Sequence, residues 1–108
     1  MINTASIINV SFLRMKEELD ELVAGGTTFF HIDLMDGHYV PNLCLPIKLL
    51  AELKAAYPQI TMDVHIMVTN PGDYIQRLKE AGADYVSFHT DSTPFVRRVL
   101  DNIRKAGM

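Results

Sequence analysis

Apolar and polar residues in this chain change period at short intervals. Thr27, Thr28, Phe29 and Phe30 bring together β-branched and aromatic side chains, which suit a buried strand. His31, Asp33 and Met35 then fall at every second position, so a strand directs all three to one face. Thr61 to Met67 alternates in the same way, with Asp63, His65 and Met67 on a shared face. Ala5 to Val10 reads as a short apolar strand, and Tyr85 to His89 as a fourth. Between these strands the period lengthens to that of a helix. Met15, Leu19, Leu22 and Val23 predict a helix from Phe12 to about Ala24, capped by Ser11 and ended by Gly25-Gly26. Pro46 starts a second helix, with Ile47, Leu49, Leu50, Leu53 and Ala56 inward and Pro58 as its stop. Asn70-Pro71 opens a third, with Tyr74, Ile75, Leu78 and Ala81 inward and Gly82 as its cap. Thr93-Pro94 opens a fourth, whose buried stripe is Phe95, Val96, Val99, Leu100 and Ile103 and whose end is Gly107.

Strand and helix thus alternate four times with short connections. That rhythm predicts an α/β fold, a parallel sheet with outer helices, in a single domain over residues 1–108 with no internal linker. Right-handed crossovers put the strand C-termini at one end, where ligands bind in such folds. A (β/α)8 barrel takes about 250 residues, so a (βα)4 unit is half of one. Four strands leave two parallel edges and an inner face uncovered. Such a half is expected to associate, most simply with a second copy of itself. A flat sheet covered by helices on both faces is the alternative.

Composition acts here mainly by exclusion. The net charge is −3 and no basic run occurs, which argues against nucleic acid as a partner. No apolar stretch is long enough to span a bilayer, and the N-terminus lacks the pattern of a secretory signal. Cys44 is the one cysteine, so no internal disulfide forms, and a reducing, cytoplasmic setting is expected.

The candidate chemistry lies on the strands. A histidine and a carboxylate side by side on a buried face are costly unless something compensates them. His31 with Asp33, and His65 on a matching strand, form a nitrogen and oxygen donor set suited to a divalent metal with open positions. Asp33 alone also reads as a structural carboxylate, and Asp36-Gly37 as a plain turn. Asp63 is expected to orient a ligand imidazole. His38 reads as solvent-facing or close to substrate, and His89 as a satisfied strand-end histidine in preference to a residue lining the same mouth. Met35 and Met67 read as core packing or, from their place beside the donor set, as lids that would help keep it dry.

Three segments carry a resemblance: His31-Ile-Asp33-Leu-Met35-Asp36-Gly37-His38-Tyr-Val40-Pro41-Asn42, Asp63-Val64-His65-Ile66-Met67-Val68, and Ala81-Gly82-Ala83-Asp84 ahead of Phe88-His89. The chain resembles the ribulose-phosphate 3-epimerases, including the allulose-6-phosphate 3-epimerases, over the first half of their barrel. The resemblance implies a sugar-phosphate substrate and a divalent cofactor, zinc or iron, with manganese or cobalt as further candidates. It implies His31, Asp33 and His65 as metal ligands, and Ser6, His31, Met35, His65 and Met67 as substrate contacts. Ala5 stands where the family has a proline before that serine. The implied reaction inverts a carbon beside a ketone. Asp33 removes a proton from one face, the metal polarises the oxygens of the resulting cis-enediolate, and a second carboxylate returns a proton from the other face. In the family that second aspartate is also a metal ligand. It lies on a later strand, as do the phosphate-binding loops, beyond the segments matched here. A truncated epimerase is therefore one reading, and an inactive half-barrel that assembles or binds is the other. Ribulose 5-phosphate and allulose 6-phosphate both remain open as substrates.

Overall fold

The computed structural model describes residues 1–108. Five strands form one sheet: β1 (Ala5–Ser6), β2 (Phe29–Asp36), β3 (Leu43–Cys44), β4 (Thr61–Met67) and β5 (Tyr85–Phe88). Four helices follow in turn: α1 (Met15–Ala24), α2 (Ile47–Ala56), α3 (Ile75–Ala81) and α4 (Val96–Lys105). The spatial order is β1-β2-β4-β5, all parallel, with β3 paired antiparallel to the end of β2.

Alternation along the strands decides the layering. Phe30, Ile32 and Leu34 of β2 and Met62, Val64 and Ile66 of β4 are buried. They share one core with Leu19 of α1, Leu50 and Leu53 of α2, Leu78 of α3, and Val99 and Ile103 of α4. The intervening residues, Phe29, His31, Asp33 and Met35 on β2 and Thr61, Asp63, His65 and Met67 on β4, stay partly open to solvent. Tyr85 and Ser87 on β5 are exposed. All four helices therefore cover one face of the sheet and the other face is bare. This is the α/β arrangement of half a (β/α)8 barrel, not of a sheet covered on both sides.

Several elements depart from the pattern read in the sequence. The first strand stops at Ser6, and Ile7–Asn9 turns into a 3-10 helix that drives Ile7 fully into the core. Ser11 makes no side-chain cap bond. Its backbone N–H instead donates to the Glu18 carboxylate at 3.1 Å, and α1 begins only at Met15. The third helix is split by a 3-10 turn, Pro71–Asp73, before α3. Phe95 and Leu100, expected in the buried stripe of α4, are 57% and 40% exposed, because that stripe is narrower than its apolar sequence. Ala56 is also exposed. Gly82 does end α3, at φ 96°, where a Cβ would lie 2.5 Å from Lys54 Cγ.

The two faces differ in what they contribute. Ile32→Ala removes a fully buried branch from the helix-covered face and is expected to cost about 2–5 kcal/mol. Leu13→Ala, at a position 98% exposed, should stay within about 0.5 kcal/mol of the parent. Urea unfolding of both variants checks this.

Candidate metal centre and active site

Seven residues of β2 pair with seven of β4, and the register sets His31 opposite Asp63, Asp33 opposite His65 and Met35 opposite Met67. The bare face of the two strands therefore carries a ladder of alternating imidazole and carboxylate. Asp33 is its hub. Its Oδ1 lies 3.3 Å from His31 Nε2 and 3.0 Å from His65 Nδ1. Its Oδ2 accepts a hydrogen bond from the Ser6 hydroxyl at 3.2 Å, which reaches it from β1. The carboxylate of Asp63 takes the other side of His31, 2.8 Å from Nδ1.

These contacts favour one arrangement of protons for metal binding. With the Asp63 carboxylate accepting at Nδ1, the neutral tautomer of His31 that carries its proton there turns the Nε2 lone pair toward Asp33 Oδ1. Two electron-rich atoms held at 3.3 Å invite a positive charge between them. Donor atoms of His31, Asp33 and His65 all lie within 4.8 Å of one another. A cation about 2.1 Å from each donor holds adjacent ligand atoms roughly 3.0–3.4 Å apart, close to the two separations at Asp33 Oδ1. The donor set and its spacing thus fit a divalent metal. Met35 and Met67 flank it on the same face, one pleat nearer the strand ends.

The loops above are tied down by Asp36. Its Oδ1 accepts from the backbone N–H groups of His38 and Tyr39 at 2.8 and 2.9 Å. Its Oδ2 accepts from the backbone N–H and hydroxyl of Thr69 at 2.8 and 3.1 Å. Partial removal from water pushes its carboxyl upward, but these donors outweigh that effect and hold it well below the usual range. Asp36 is therefore more than a turn residue, since it fastens the loop after β2 to the loop after β4. Gly37, at φ 74°, makes the bend this requires. His38 is exposed and stands apart from the cluster. Burial, and then the Asp33 charge, push the Cys44 thiol up, so it stays protonated beside the site.

One further loop, after β5, reaches the mouth. His89 Nε2 lies 2.8 Å from His65 Nε2. The Tyr39 ring packs 5.2 Å from that of His89, and the Tyr39 hydroxyl donates to Asp91 Oδ1 at 2.6 Å. His89 is thus satisfied, as expected of a strand-end residue, but by the cluster itself. The signal was present in the period of two, which carries Tyr85 and Ser87 on to His89 along the same bare face. Tyr39 and Asp91 lie in loops, where no periodicity marks them.

A profile of the ribulose-phosphate 3-epimerase family matches residues 2–108. The chain belongs to the ribulose-phosphate 3-epimerase family. It is 36% identical over 103 residues to the ribulose-phosphate 3-epimerase of Buchnera aphidicola from Schizaphis graminum, covering 95% of this chain and 45% of that one. It is 35% identical over 109 residues to the enzyme of Bacillus subtilis, covering 100% and 50%. It is 33% identical over 103 residues to that of Methanocaldococcus jannaschii, covering 95% and 43%. The chain spans about half the length of these epimerases. Among solved structures, a response regulator, RcsB of Salmonella typhimurium, superposes with a TM-score of 0.51 at 12% identity, covering 96% of this chain and 60% of that one. At that identity the likeness concerns the α/β chain path alone.

Asp36 gives this epimerase-family chain an acid limit. Because its carboxyl is held down in the folded chain, it favours folding at every pH above its unfolded value of about 3.9. That contribution fades as the pH falls below it. Asp36→Asn should lower the unfolding midpoint at pH 7 and shrink the loss of stability seen in the parent on acidification toward pH 3. Parallel urea melts at the two pH values test this.

Proposed function

We propose that this chain supplies the metal-holding, proton-removing half of a ketose-phosphate 3-epimerase site, with ribulose 5-phosphate as the substrate type. The observation that carries the reading is the convergence of His31, Asp33 and His65 on one point of the bare face. His31 Nε2, Asp33 Oδ1 and His65 Nδ1 would hold a divalent cation, zinc or iron by family resemblance, and no helix in the chain is long and apolar enough to cross a membrane. When bound, such an ion supplies Lewis-acid polarisation of a substrate carbonyl.

The two oxygens of Asp33 divide the work. Oδ1 faces both imidazoles and is the ligand oxygen. Oδ2 faces Ser6 and is the one free to take a proton from the carbon next to the carbonyl. The Ser6 hydroxyl fixes the carboxylate's rotation and, as substrate enters, can pass its hydrogen bond to a substrate oxygen. Asp63 keeps His31 in the tautomer that presents Nε2. Met35 and Met67 border the reacting face with apolar, polarisable surface that limits water.

Inversion also needs a donor on the opposite face of the carbon, since one carboxylate serves one face. In this reading the donor comes from whatever closes the bare side of the sheet. The outer edges of β1 and β5 are unpaired and the inner face is uncovered, so a second copy is the occupant we propose. The second reading is a half-barrel that binds metal without turnover, because His31, Asp33 and His65 all approach from one sheet.

Metal titration and turnover separate these readings. His65→Ala should weaken metal affinity far more than His38→Ala, and equal effects would remove His65 from the donor set. With ribulose 5-phosphate in deuterated water, the parent should exchange the proton at the reacting carbon and Asp33→Asn should not. Exchange without epimerisation supports the half-site reading, whereas retained exchange in the variant points to another base. Sedimentation showing a stable monomer would reject self-closure.

A further inference from the structure

Both imidazoles that face Asp33 have their second ring nitrogen engaged, but by different partners. His31 Nδ1 meets the Asp63 carboxylate at 2.8 Å, and His65 Nε2 meets His89 Nε2 at the same distance. A carboxylate can only accept. Two facing imidazole nitrogens share a single proton, so one ring must donate and the other accept. The far side of His65 decides which. When Nδ1 offers its lone pair to a cation beside Asp33 Oδ1, the neutral ring carries its proton on Nε2. His89 must then accept that proton's hydrogen bond at Nε2 and keep its own proton on Nδ1.

His89 is held in place for this. Its carbonyl oxygen accepts from the backbone N–H of Ser92 at 3.1 Å and from the Ser92 hydroxyl at 2.6 Å, which pins the end of β5. The Tyr39 ring lies against its imidazole. Tyr39 is itself tied to Asp91, two residues beyond His89, so the loops after β2 and β5 grip the ring together. The His65 and His89 ring centroids stand 5.0 Å apart, and the His31 and His65 centroids 5.9 Å. The three imidazoles thus form a row across β2, β4 and the end of β5.

We propose that His89 is a positioning residue: by accepting the Nε2–H of His65 it sets the tautomer and ring plane in which His65 offers Nδ1 to a divalent cation. This rests on the reading that His31, Asp33 and His65 hold such an ion. His89 does for His65 what Asp63 does for His31, with a neutral acceptor in place of a charged one. Outer partners of this kind govern affinity through geometry and tautomer, without touching the ion.

The test titrates the full chain with cobalt(II) alone, followed by visible absorption, in the parent and in His89→Phe and His89→Gln. His89→Phe keeps a ring against Tyr39 but offers no acceptor, and should weaken cobalt binding by about 10- to 100-fold. His89→Gln, whose Oε1 can accept, should recover most of that loss, which a purely space-filling role would not predict. Long-range proton–nitrogen spectra of the zinc-loaded parent should show the His65 proton on Nε2. Parent-like affinity in His89→Phe, or no recovery in His89→Gln, overturns the inference. If His89→Phe fails to fold, a zinc-loaded parent with the His65 proton on Nδ1 overturns it instead. If the parent and His65→Ala take up cobalt equally, the metal reading itself fails and this inference falls with it. Loss in His65→Ala with none in His89→Phe leaves that reading standing and removes His89 alone.

Discussion

The parallel pairing of β2 with β4 constrains everything at the site. Seven residue pairs fix the register in which Asp33 meets His65 and His31 meets Asp63. A slip of β2 by one residue would turn His31 and Asp33 into the helix-covered core and bring Phe30, Ile32 and Leu34 out to solvent. Either change alone would be severe, since charge would lose water and apolar area would gain it. The burial of one face therefore enforces the alignment of the other. The helices hold the polar cluster in register by covering the opposite side of the same strands.

The polar face is arranged so that no carboxylate stands alone. Asp33 meets Ser6 and two imidazoles, Asp63 meets His31, Asp36 meets backbone and hydroxyl donors, and Asp91 meets Tyr39. No buried side-chain nitrogen or oxygen lacks a partner. What distinguishes Asp33 is that its imidazole neighbours already have outer partners, Asp63 for His31 and His89 for His65. Their inner nitrogens both face a single carboxylate oxygen. Asp36, by contrast, spends all its accepting capacity on holding loops, and so serves geometry and not chemistry.

Much of this was legible in the sequence, because it depends on local period. Alternation placed His31, Asp33 and Met35 on one face and Asp63, His65 and Met67 on another, and the spacing of strand and helix gave the α/β half-barrel. What stayed hidden depends on contacts between distant segments. The short strand β3 exists only because the loop after Asp36 folds back to set Cys44 beside Met35. Tyr39 and Asp91 meet across 52 residues of sequence. The apolar run from Ala5 to Val10 reads as a strand, yet the chain turns after Ser6, because Ile7 gains more by entering the core than by extending an edge. Phe95 and Leu100 carry the period of a buried stripe, and only the width of the surface beneath α4 reveals that they lie outside it.

The division between the faces also separates two tasks that a whole barrel performs together. Folding in this chain is driven by the helix-covered side, whose core draws on all four helices and on the buried residues of β2 and β4. The candidate donors His31, Asp33 and His65 lie on the opposite side of β2 and β4, with β1 and the end of β5 as supports. The core does not call on residues from a second half. Completing a reaction that attacks one carbon from two directions does, because every basic group described here approaches from the same sheet. The proposed half-site thus has its core and its three candidate donors on one sheet, while two-faced chemistry waits on whatever closes the bare side.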